Sequence, residues 1–548
     1  MLALEINNTF GNNIDNHDFL GILPELYLLG VIINSLIISI KALGSNNNNI
    51  VHKKPHVISG VINKILENLN VLLFVWPFLY IDLHFGELIG TICNLINNPA
   101  IVEVEELSFE RSFSGLSYFA LNNAVAVSAY ILFFKILVIL TTSIILRSSV
   151  RYLRHHNKQL TEFITIILLV MFFLIVLISA QDLLVAFVSI IGFSLNIYVL
   201  ILSDSENQMA REAAIKYYYL SVFSSGLLAF GSWITYLLCL NTNFIDIAWS
   251  LQLWDFQEHT ILLIAMLYFI IFGLFFKLAA FPCHLWAPAI YEGSPQVVTA
   301  LFILPVKTAI IAFFFTLLTY VFKDLYFIWS FIVWFSSIFS MLFGCVAALF
   351  EKKARKFIAY SSINQMGFLL IGLTVGTFEG IRASLIYLLI YVLMNIGLFV
   401  ILLNTYNIYT NRAILFLTDF TYLSKNNWLS SLTIIILLFS MAGIPPLAGF
   451  YGKYYLFLNA FETSYYSLVI IGMLTSMVST FYYLKIIKLL WFERQLVNIK
   501  FITVLNWSTR NVLSLVEIFL VLFFLWNNFF FIEFGYITTQ CFHFSNQN

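Results

Sequence analysis

The stretch "LFFKLAAFPCHLW", from Leu274 to Trp286, places a lysine and a proline inside one apolar segment. Lys277 is a costly charge in such surroundings, and Pro282 breaks a helix because it has no backbone N–H to donate. His284 follows two residues later. A charge beside a helix break at membrane depth is typical of an ion or proton pathway, because irregular backbone survives there only in a protein-lined or hydrated cavity.

The composition of the whole chain is that of a membrane protein. Of its 548 residues, 61% are hydrophobic and 10% are charged, and the mean hydropathy is +0.91. A soluble domain carries about 25% charged residues. Apolar runs of roughly 18 residues or more recur along the chain, which predicts an all-α membrane protein. The formal net charge of 0 gives no reason to expect a nucleic-acid partner.

Nothing in the sequence predicts a metal, a cofactor or a disulfide framework in this chain. The five cysteines lack the spacing of metal-ligand or redox motifs, so we interpret them as small apolar residues. No Gly-rich phosphate loop, nucleophile triad or flavin-binding fingerprint occurs. The chain is therefore not expected to perform chemistry on a soluble substrate itself.

The first twenty residues are acidic and rich in asparagine. They lack the basic start of a signal peptide and the Arg-rich pattern of a transit peptide, so no cleavable leader is predicted. The chain contains 57 Phe and 28 Tyr, and an Asn run at 46–49. This bias is typical of an AT-rich organellar genome, and an organelle-encoded protein would need no transit peptide.

The hydropathy pattern predicts fourteen membrane spans, and the charges of the loops support that number. Loops after odd-numbered spans are basic and loops after even-numbered spans are not, as the positive-inside rule requires, and both termini then lie on the outer side. The second span is the weakest, because Pro77 interrupts it. The predicted spans are residues 20–43, 67–83, 123–146, 161–179, 181–202, 212–240, 258–290, 294–322, 326–350, 354–376, 381–404, 428–462, 464–491 and 511–532.

Two spans are longer than a bilayer requires and contain prolines. They are 258–290 and 428–462, and they lie five spans apart. Broken helices at corresponding places in two halves predict inverted repeats of five helices each, with a transport site between them. The predicted units are the N-terminal helices with an acidic loop at 84–120, the two repeats, and a C-terminal helix with its tail. Their ranges are 1–160, 161–322, 323–491 and 492–548.

Four lysines inside predicted spans are the main candidates for proton relay. They are Lys216, Lys277, Lys307 and Lys453. An ionisable residue at the bilayer centre costs about 2.5–3.5 kcal/mol on insertion scales, so it faces the protein interior and marks a pathway. Lys277 and Lys453 occupy related positions in the two halves. Lys216 also has a purely structural interpretation, as an interfacial side chain or as the partner of Glu212 one turn earlier.

Other charged residues carry weaker hypotheses. Lys135 is deep in its span and is either a relay group or a helix-pairing residue. His284 either relays protons or caps carbonyls at the break. Asp182 and Glu292 lie near the ends of spans, where end-capping or an interface contact is favoured over a relay role.

The sequence resembles the subunit 2 family of the proton-pumping NADH:ubiquinone oxidoreductase, respiratory complex I. The segment "FKLAAFPCHLWAPAIYEGSPQVVTALF" is similar to that family's first broken helix. Further similar segments follow the family's order. They are "LPELYLL" (23–29), "FFKILVILTTS" (133–143), "EAAIKYYYLSVFSSGLLAFG" (212–231), "KFIAYSSINQMGFLL" (356–370) and "MAGIPPLAGFYGKYYLF" (441–457).

The resemblance implies an antiporter-like fold and gives the four lysines their roles. Lys277 matches the pump lysine, Lys307 the connecting lysine, Lys453 the lysine that exchanges protons with the outer side, and Lys216 the sixth-helix lysine. It also implies that NADH and ubiquinone bind other subunits. The expected partners are other membrane-arm and accessory subunits and membrane lipids.

Two positions depart from the family's pattern. Ile191 stands where the family has a glutamate that partners the pump lysine, and Gln365 stands where the family often has a histidine. Asp182 is nine residues from Ile191, about 13.5 Å along a helix, so it cannot substitute. Three outcomes are open: another subunit supplies the acid, the remaining lysines and water suffice, or the subunit is a structural remnant. A cation/proton antiporter of the Mrp type is a further alternative.

Overall fold

The computed structural model describes residues 24–37, 118–120, 123–155, 160–204, 206–253, 260–407, 413–423, 427–493 and 501–543. The predicted second span, 67–83, and nearly all of the acidic segment 84–120 lie outside these residues. Each of the other thirteen predicted spans overlaps a helix.

The described part of the chain is almost wholly helical. Short antiparallel strand pairs join β1 (Tyr118–Ala120) to β2 (Val125–Val127) and β3 (Thr405–Asn407) to β4 (Phe501–Thr503). The helices are α1 (Pro24–Ile37), α2 (Ala129–His155), α3 (Leu160–Ser179), α4 (Leu183–Leu202), α5 (Gln208–Cys239), α6 (Phe244–Leu253), α7 (Thr260–Leu278), α8 (Trp286–Gly293), α9 (Gln296–Val321), α10 (Tyr326–Phe350), α11 (Ala354–Val375), α12 (Phe378–Leu403), α13 (Trp428–Ala442), α14 (Ala448–Glu462), α15 (Tyr466–Trp491) and α16 (Trp507–His543).

Eleven of the described helices are long and apolar enough to cross a membrane, which confirms the predicted all-α membrane class. Helices α9, α11 and α12 are buried almost completely and form the centre of the molecule. In contrast, α5, α15 and α16 expose large apolar side chains on their outer faces, among them Phe223, Phe481 and Trp526. Apolar outer faces around a packed centre are what a bilayer requires.

The first predicted break is present between α7 and α8. Helix α7 ends at Leu278, Ala279 takes the left-handed conformation with φ 58°, and helical backbone resumes at Trp286. The break frees backbone groups that need partners at this depth. The Trp286 indole donates to the carbonyl of Phe276 (2.9 Å), and the Ser336 hydroxyl donates to the carbonyl of Phe281 (2.7 Å).

The second predicted break is present between α13 and α14. Gly443 takes the left-handed conformation with φ 85°, and Ala448 opens the next helix. The two half-helices lie very close together: a Cβ built on Gly449 would lie 1.8 Å from the carbonyl oxygen of Ser440. The inverted-repeat boundaries at 161–322 and 323–491 stay a prediction.

Helix α6 (Phe244–Leu253) was not predicted, because the sequence places it in the loop after the sixth span. Its ten residues are too few to cross a bilayer. It begins where the Asn243 side chain accepts from the backbone N–H of Ile245 (3.1 Å), and the N–H of Phe244 donates to the carbonyl of Gln181 (2.9 Å). Those bonds hold it against the start of α4.

Candidate functional site

Lys277 lies in the last turn of α7, beside the first break, and its side chain is buried, at 5% exposure. Among the described residues, none forms a hydrogen bond with its ammonium nitrogen Nζ and no carboxylate lies within ion-pair distance. The ring of Phe193, on α4, lies 5.7 Å from Nζ. Helix α4 therefore presents an aromatic face to this lysine, an arrangement that stabilises an ammonium more weakly than a carboxylate does.

Ile191 and Asp182 lie on the same helix and do not replace the missing acid. Ile191 is half-buried, and its carbonyl accepts from the hydroxyl of Ser194 (2.9 Å). Asp182 caps α4, because its carboxylate accepts the backbone N–H of Leu184 (3.1 Å). This is the end-capping role expected for Asp182.

Lys307 is the most deeply buried of the four main candidate relay lysines, at 1% exposure. It follows a π-helical turn, Phe302–Val306, which contains Pro305. A proline removes a backbone donor, and π turns are frequent where a helix is modified for function. The ammonium of Lys307 donates to the hydroxyl of Ser362 on α11 (3.0 Å).

Lys453 lies in α14, after the second break, and is buried at 5% exposure. Its ammonium donates to the carbonyls of Met441 (3.0 Å) and Ala442 (3.1 Å) and lies 5.0 Å from the ring centroid of Phe368. The carbonyl end of α13 carries partial negative charge, so it stabilises the ammonium. A cavity of about 500 Å³ between α14 and α15 reaches this lysine.

The related positions expected for Lys277 and Lys453 need one correction. Both lysines lie beside a break, but Lys277 precedes its break in the chain and Lys453 follows its own. The ammonium of Lys453 caps the half-helix that ends at the break, whereas Lys277 belongs to such a half-helix. The two lysines therefore lie at similar helix breaks but have different backbone surroundings.

Lys216 is not part of this buried set. It forms an ion pair with Glu212 on the outer face of α5, and the two side chains are 52% and 55% exposed. The structure thus shows the predicted pair one turn apart. The role that the resemblance implies for Lys216 stays a prediction.

Lys135 is buried in α2 and forms an ion pair with Glu25 of α1. The pair joins the first described helix to the core across 110 residues of sequence. Glu25 was not predicted as a site residue, although a carboxylate inside the predicted span 20–43 was a usable signal. This geometry favours helix pairing for Lys135, because a buried charge is tolerated when it is paired.

Glu292 and the start of α11 form a charged cluster at one end of the site. Its carboxylate pairs with Lys353 and with Lys356 (3.0 Å). The Arg355 guanidinium donates to the carbonyls of Glu292 (3.0 Å) and Ser294 (2.8 Å). These contacts hold the end of α8 against the start of α11. Glu292 therefore joins two helices through ion pairs and does not act mainly as a helix cap.

We expect Glu292→Gln to remove a pH-dependent part of the stability. Burial raises the pKa of Glu292, but hydrogen bonds from Lys353 and Lys356 outweigh this and lower it below the ordinary value of 4.5. A lowered pKa stabilises the fold above that value, and the contribution is lost as the pH falls below it. The substitution should cost about 1 kcal/mol near neutral pH and less in acid.

The measurement is the thermal midpoint of the purified protein from about pH 7 down to about pH 2.5. Glu379→Gln is the matched control. Glu379 also forms an ion pair, with Arg382 (3.1 Å), but its side chain is 46% exposed, so water weakens the pair. Equal losses for the two variants at every pH would contradict this role of Glu292.

His284 lies in the first break and is buried among aromatic rings. It stacks on Phe281 and on Phe343, each with a centroid distance of 5.6 Å. Its Nδ1 has no hydrogen-bond partner among the described residues. The stacking therefore adds a packing role to the two predicted alternatives, relay and capping.

Gln365 lies at the centre of the molecule, on α11, and is surrounded by tyrosines. The hydroxyl of Tyr387 donates to its Oε1, and its Nε2 donates to the hydroxyl of Tyr483 (3.4 Å). Gln365 thus stands where a titratable histidine is expected, and it forms a hydrogen-bonded cluster with Tyr387 and Tyr483.

Comparison with known proteins places this geometry in a family. The profile of the NADH:quinone oxidoreductase/Mrp antiporter transmembrane family matches residues 180–479, which contain both breaks and the buried lysines 277, 307 and 453. NADH-quinone oxidoreductase subunit N of Pelagibacter ubique is 36% identical over 442 residues, which cover 78% of this chain and 91% of that protein. NADH-ubiquinone oxidoreductase chain 2 of Marchantia polymorpha is 36% identical over 376 residues, 68% of this chain and 75% of that one.

Solved structures show the same fold. A chain of respiratory complex I from Thermus thermophilus with bound aureothin superimposes with a TM-score of 0.70 at 20% identity, covering 94% of this chain and 99% of that one. A chain of the Mrp complex from a Dietzia species gives 0.72 at 16% identity, covering 96% and 97%. The chain therefore belongs to the NADH:quinone oxidoreductase/Mrp antiporter family of multi-pass membrane subunits, in its branch of complex I subunits N and 2.

Proposed function

We propose that the chain is a proton-translocating membrane-arm subunit of respiratory complex I, a proton-translocating NADH:ubiquinone reductase. Other subunits bind NADH and ubiquinone and carry out the redox reaction, and this chain holds no redox cofactor of its own. The observation that carries the proposal is the burial of Lys277, Lys307 and Lys453 in the interior of a membrane protein. Burying an ionisable side chain inside a membrane costs several kcal/mol, so such residues usually mark ion and proton pathways.

The three sites differ in what holds the ammonium. An aromatic ring faces Lys277, a hydroxyl accepts from Lys307, and two carbonyls accept from Lys453. Desolvation disfavours a charged ammonium, so its proton responds to a change of charge nearby. A proton that leaves one ammonium and joins the next amine returns the first lysine to neutrality, and the redox reaction elsewhere in the complex drives the sequence.

A structural subunit that no longer pumps is the second candidate, and two observations on α4 favour it. Phe193 faces Lys277 from α4, and Ile191 stands where the family's carboxylate is expected. The proton-translocating function remains the stronger proposal, because a subunit freed from transport has no physical reason to keep three costly charges in its core.

Purification of the assembly that contains this chain tests complex I membership. We expect NADH:quinone reductase activity to purify with the chain. An assembly that exchanges cations for protons and lacks that activity would instead establish an Mrp-type antiporter.

We also propose the mitochondrial inner membrane as the location. The abundance of Phe, Tyr and Asn supports an organellar gene, and the similarity to the chain of Marchantia is compatible with it. Fractionation of the source cells decides this point, and recovery of the chain in a bacterial plasma membrane would contradict it.

A further inference from the structure

We propose that the cavity between α14 and α15 binds a long-chain fatty acid, whose carboxylate pairs with the ammonium of Lys453. Such a site goes beyond the proposed function, because binding requires only the cavity and the charge. The cavity has a volume of about 500 Å³. Binding pockets for small molecules usually measure about 300–1,000 Å³ and have mostly apolar walls with a few polar groups that orient the ligand.

The walls of the cavity are almost entirely apolar. Aromatic and aliphatic side chains of both helices form them, among them Phe457, Leu458 and Val469. Ser476 and Thr480 also line the cavity, but each hydroxyl donates to a backbone carbonyl one turn earlier on α15, at 2.7 Å and 2.6 Å. These hydroxyls are therefore already used as donors, and an acyl chain is the group that fits such walls.

The cavity opens on the outer surface of the helix bundle. Its lining includes four exposed side chains, Tyr454, Phe461, Met473 and Met477. Exposed apolar side chains of a membrane subunit contact lipid, so a ligand enters the cavity from the bilayer. Lys453 and Phe461 are eight residues apart, about 12 Å along α14. A chain that enters between the exposed side chains therefore has to be long to place its head beside Lys453.

Lys453 supplies the positive charge of the cavity, and no carboxylate among the described residues lies within ion-pair distance of it. An ammonium has three N–H donors. The carbonyls of Met441 and Ala442 accept two of them, at 3.0 Å and 3.1 Å. Gly443 also lines the cavity, and a Cβ built there would lie 3.3 Å from Nζ. The ammonium therefore lies where the cavity meets the second break, with one donor that no described residue accepts.

The depth of Lys453 selects a fatty acid over a phospholipid. The second break separates two helices of 15 residues each, so it lies near the middle of the membrane. A phospholipid keeps its phosphate at the interface, roughly 15 Å from the bilayer centre. A fatty acid carries a single carboxyl group, which becomes neutral when it takes up a proton and then enters apolar surroundings at much smaller cost than an anion.

The proton of the acid has a defined destination in the binding step. When the neutral acid meets Lys453 in its amine form, the carboxyl O–H bond breaks and the proton joins the amine nitrogen. The product is a carboxylate–ammonium pair without net charge, which is the state in which a buried charge is tolerated. The carboxylate also favours the charged form of the lysine. The effect on transport rests on the proposed function: a lysine held in its charged form relays protons more slowly.

Photoreactive palmitic acid measures binding to the purified complex, and unlabelled palmitic acid or hexadecanol competes with it. We expect the label on the residues of α14 and α15 that line the cavity. Palmitic acid should compete roughly 10- to 100-fold better than hexadecanol, because the alcohol fits the walls but forms no ion pair. Equal competition by the two compounds would overturn the inference, as would labelling confined to other parts of the complex.

Three variants separate the cavity and its charge from the helix surface around them. Ser476→Trp fills the cavity and leaves the residues that contact Lys453 unchanged, so it should abolish the label. Leu474→Trp is the matched control, because Leu474 is exposed on the same helix and does not line the cavity. Lys453→Met keeps the cavity and removes the charge, so palmitic acid and hexadecanol should then compete equally. A label that survives Ser476→Trp, or a preference for the acid that survives Lys453→Met, would contradict the site.

Proton translocation distinguishes this site from the proposed function. Protons translocated per NADH oxidised are measured with and without palmitic acid, in vesicles of the wild-type complex and of the Ser476→Trp complex. The acid also carries protons through the bilayer, but that leak is the same in both preparations. We expect the acid to lower the ratio more in the wild type. An equal decrease, with the binding preference confirmed, would leave the fatty-acid site standing and refute the relay role of Lys453. A missing preference would refute the site and leave the proposed function untouched.

Discussion

Replacing Lys277 with methionine is expected to stop proton transfer through this subunit while the complex still assembles. Lys277 provides a titrating group at the first break, and the ring of Phe193 cannot take over a proton. Loss of a positioned proton-transfer group slows transfer on the order of 10²-fold or more. Methionine is apolar and of similar length, and replacing a buried ion by an apolar side chain is often neutral for stability.

NADH-driven proton uptake into vesicles that contain the complex measures this effect. Lys485→Met is the control, because it removes the same charge from an exposed position on α15 to which no relay role is assigned. We expect a much smaller change there. Equal proton uptake by the Lys277→Met complex and the wild type would show that Lys277 is not a relay group.

Replacing Gly449 with alanine is expected to prevent the second broken helix from forming. The added Cβ would lie 1.8 Å from the carbonyl oxygen of Ser440, and that oxygen belongs to backbone that cannot rotate away. Overpacking of this kind costs about 3 kcal/mol or more, since the half-helices must separate. The same shift would displace the carbonyls of Met441 and Ala442 from the ammonium of Lys453.

The amount of assembled complex and its thermal midpoint measure that loss. Gly226→Ala is the control: no atom lies within 4 Å of a Cβ added there. A helical Gly to Ala change in open space stabilises by roughly 0.5–1 kcal/mol. A Gly449→Ala complex as stable as the Gly226→Ala complex would contradict the close packing at the break.

The broken helices and the buried lysines could be predicted from the sequence because each leaves a local signal. A proline inside an apolar run and a charge among apolar residues are visible within a few positions, as at Lys277 and Pro282. Lys307 and Lys453 show the same local signal, and both lie inside the protein.

The contacts of those lysines could not be predicted, because they depend on how helices rotate against one another. Nothing local to Lys277 indicates that Phe193 faces it, or that Lys135 pairs with Glu25 across 110 residues. The exposure of Lys216 was one of two alternatives that the sequence left open, because a helix that faces lipid on its outer side is apolar on both faces. Helix α6 (Phe244–Leu253) was too short to stand out from its loop.

The most direct test of the central claim replaces all three buried lysines in one protein. Protons translocated per NADH oxidised would be measured for the wild-type complex and for a complex that carries Lys277→Met, Lys307→Met and Lys453→Met together. If protons cross the membrane through these lysines, the triple variant should oxidise NADH in uncoupled membranes and translocate fewer protons per NADH. An identical ratio for the two complexes would contradict the account and establish the subunit as a structural part of the membrane arm.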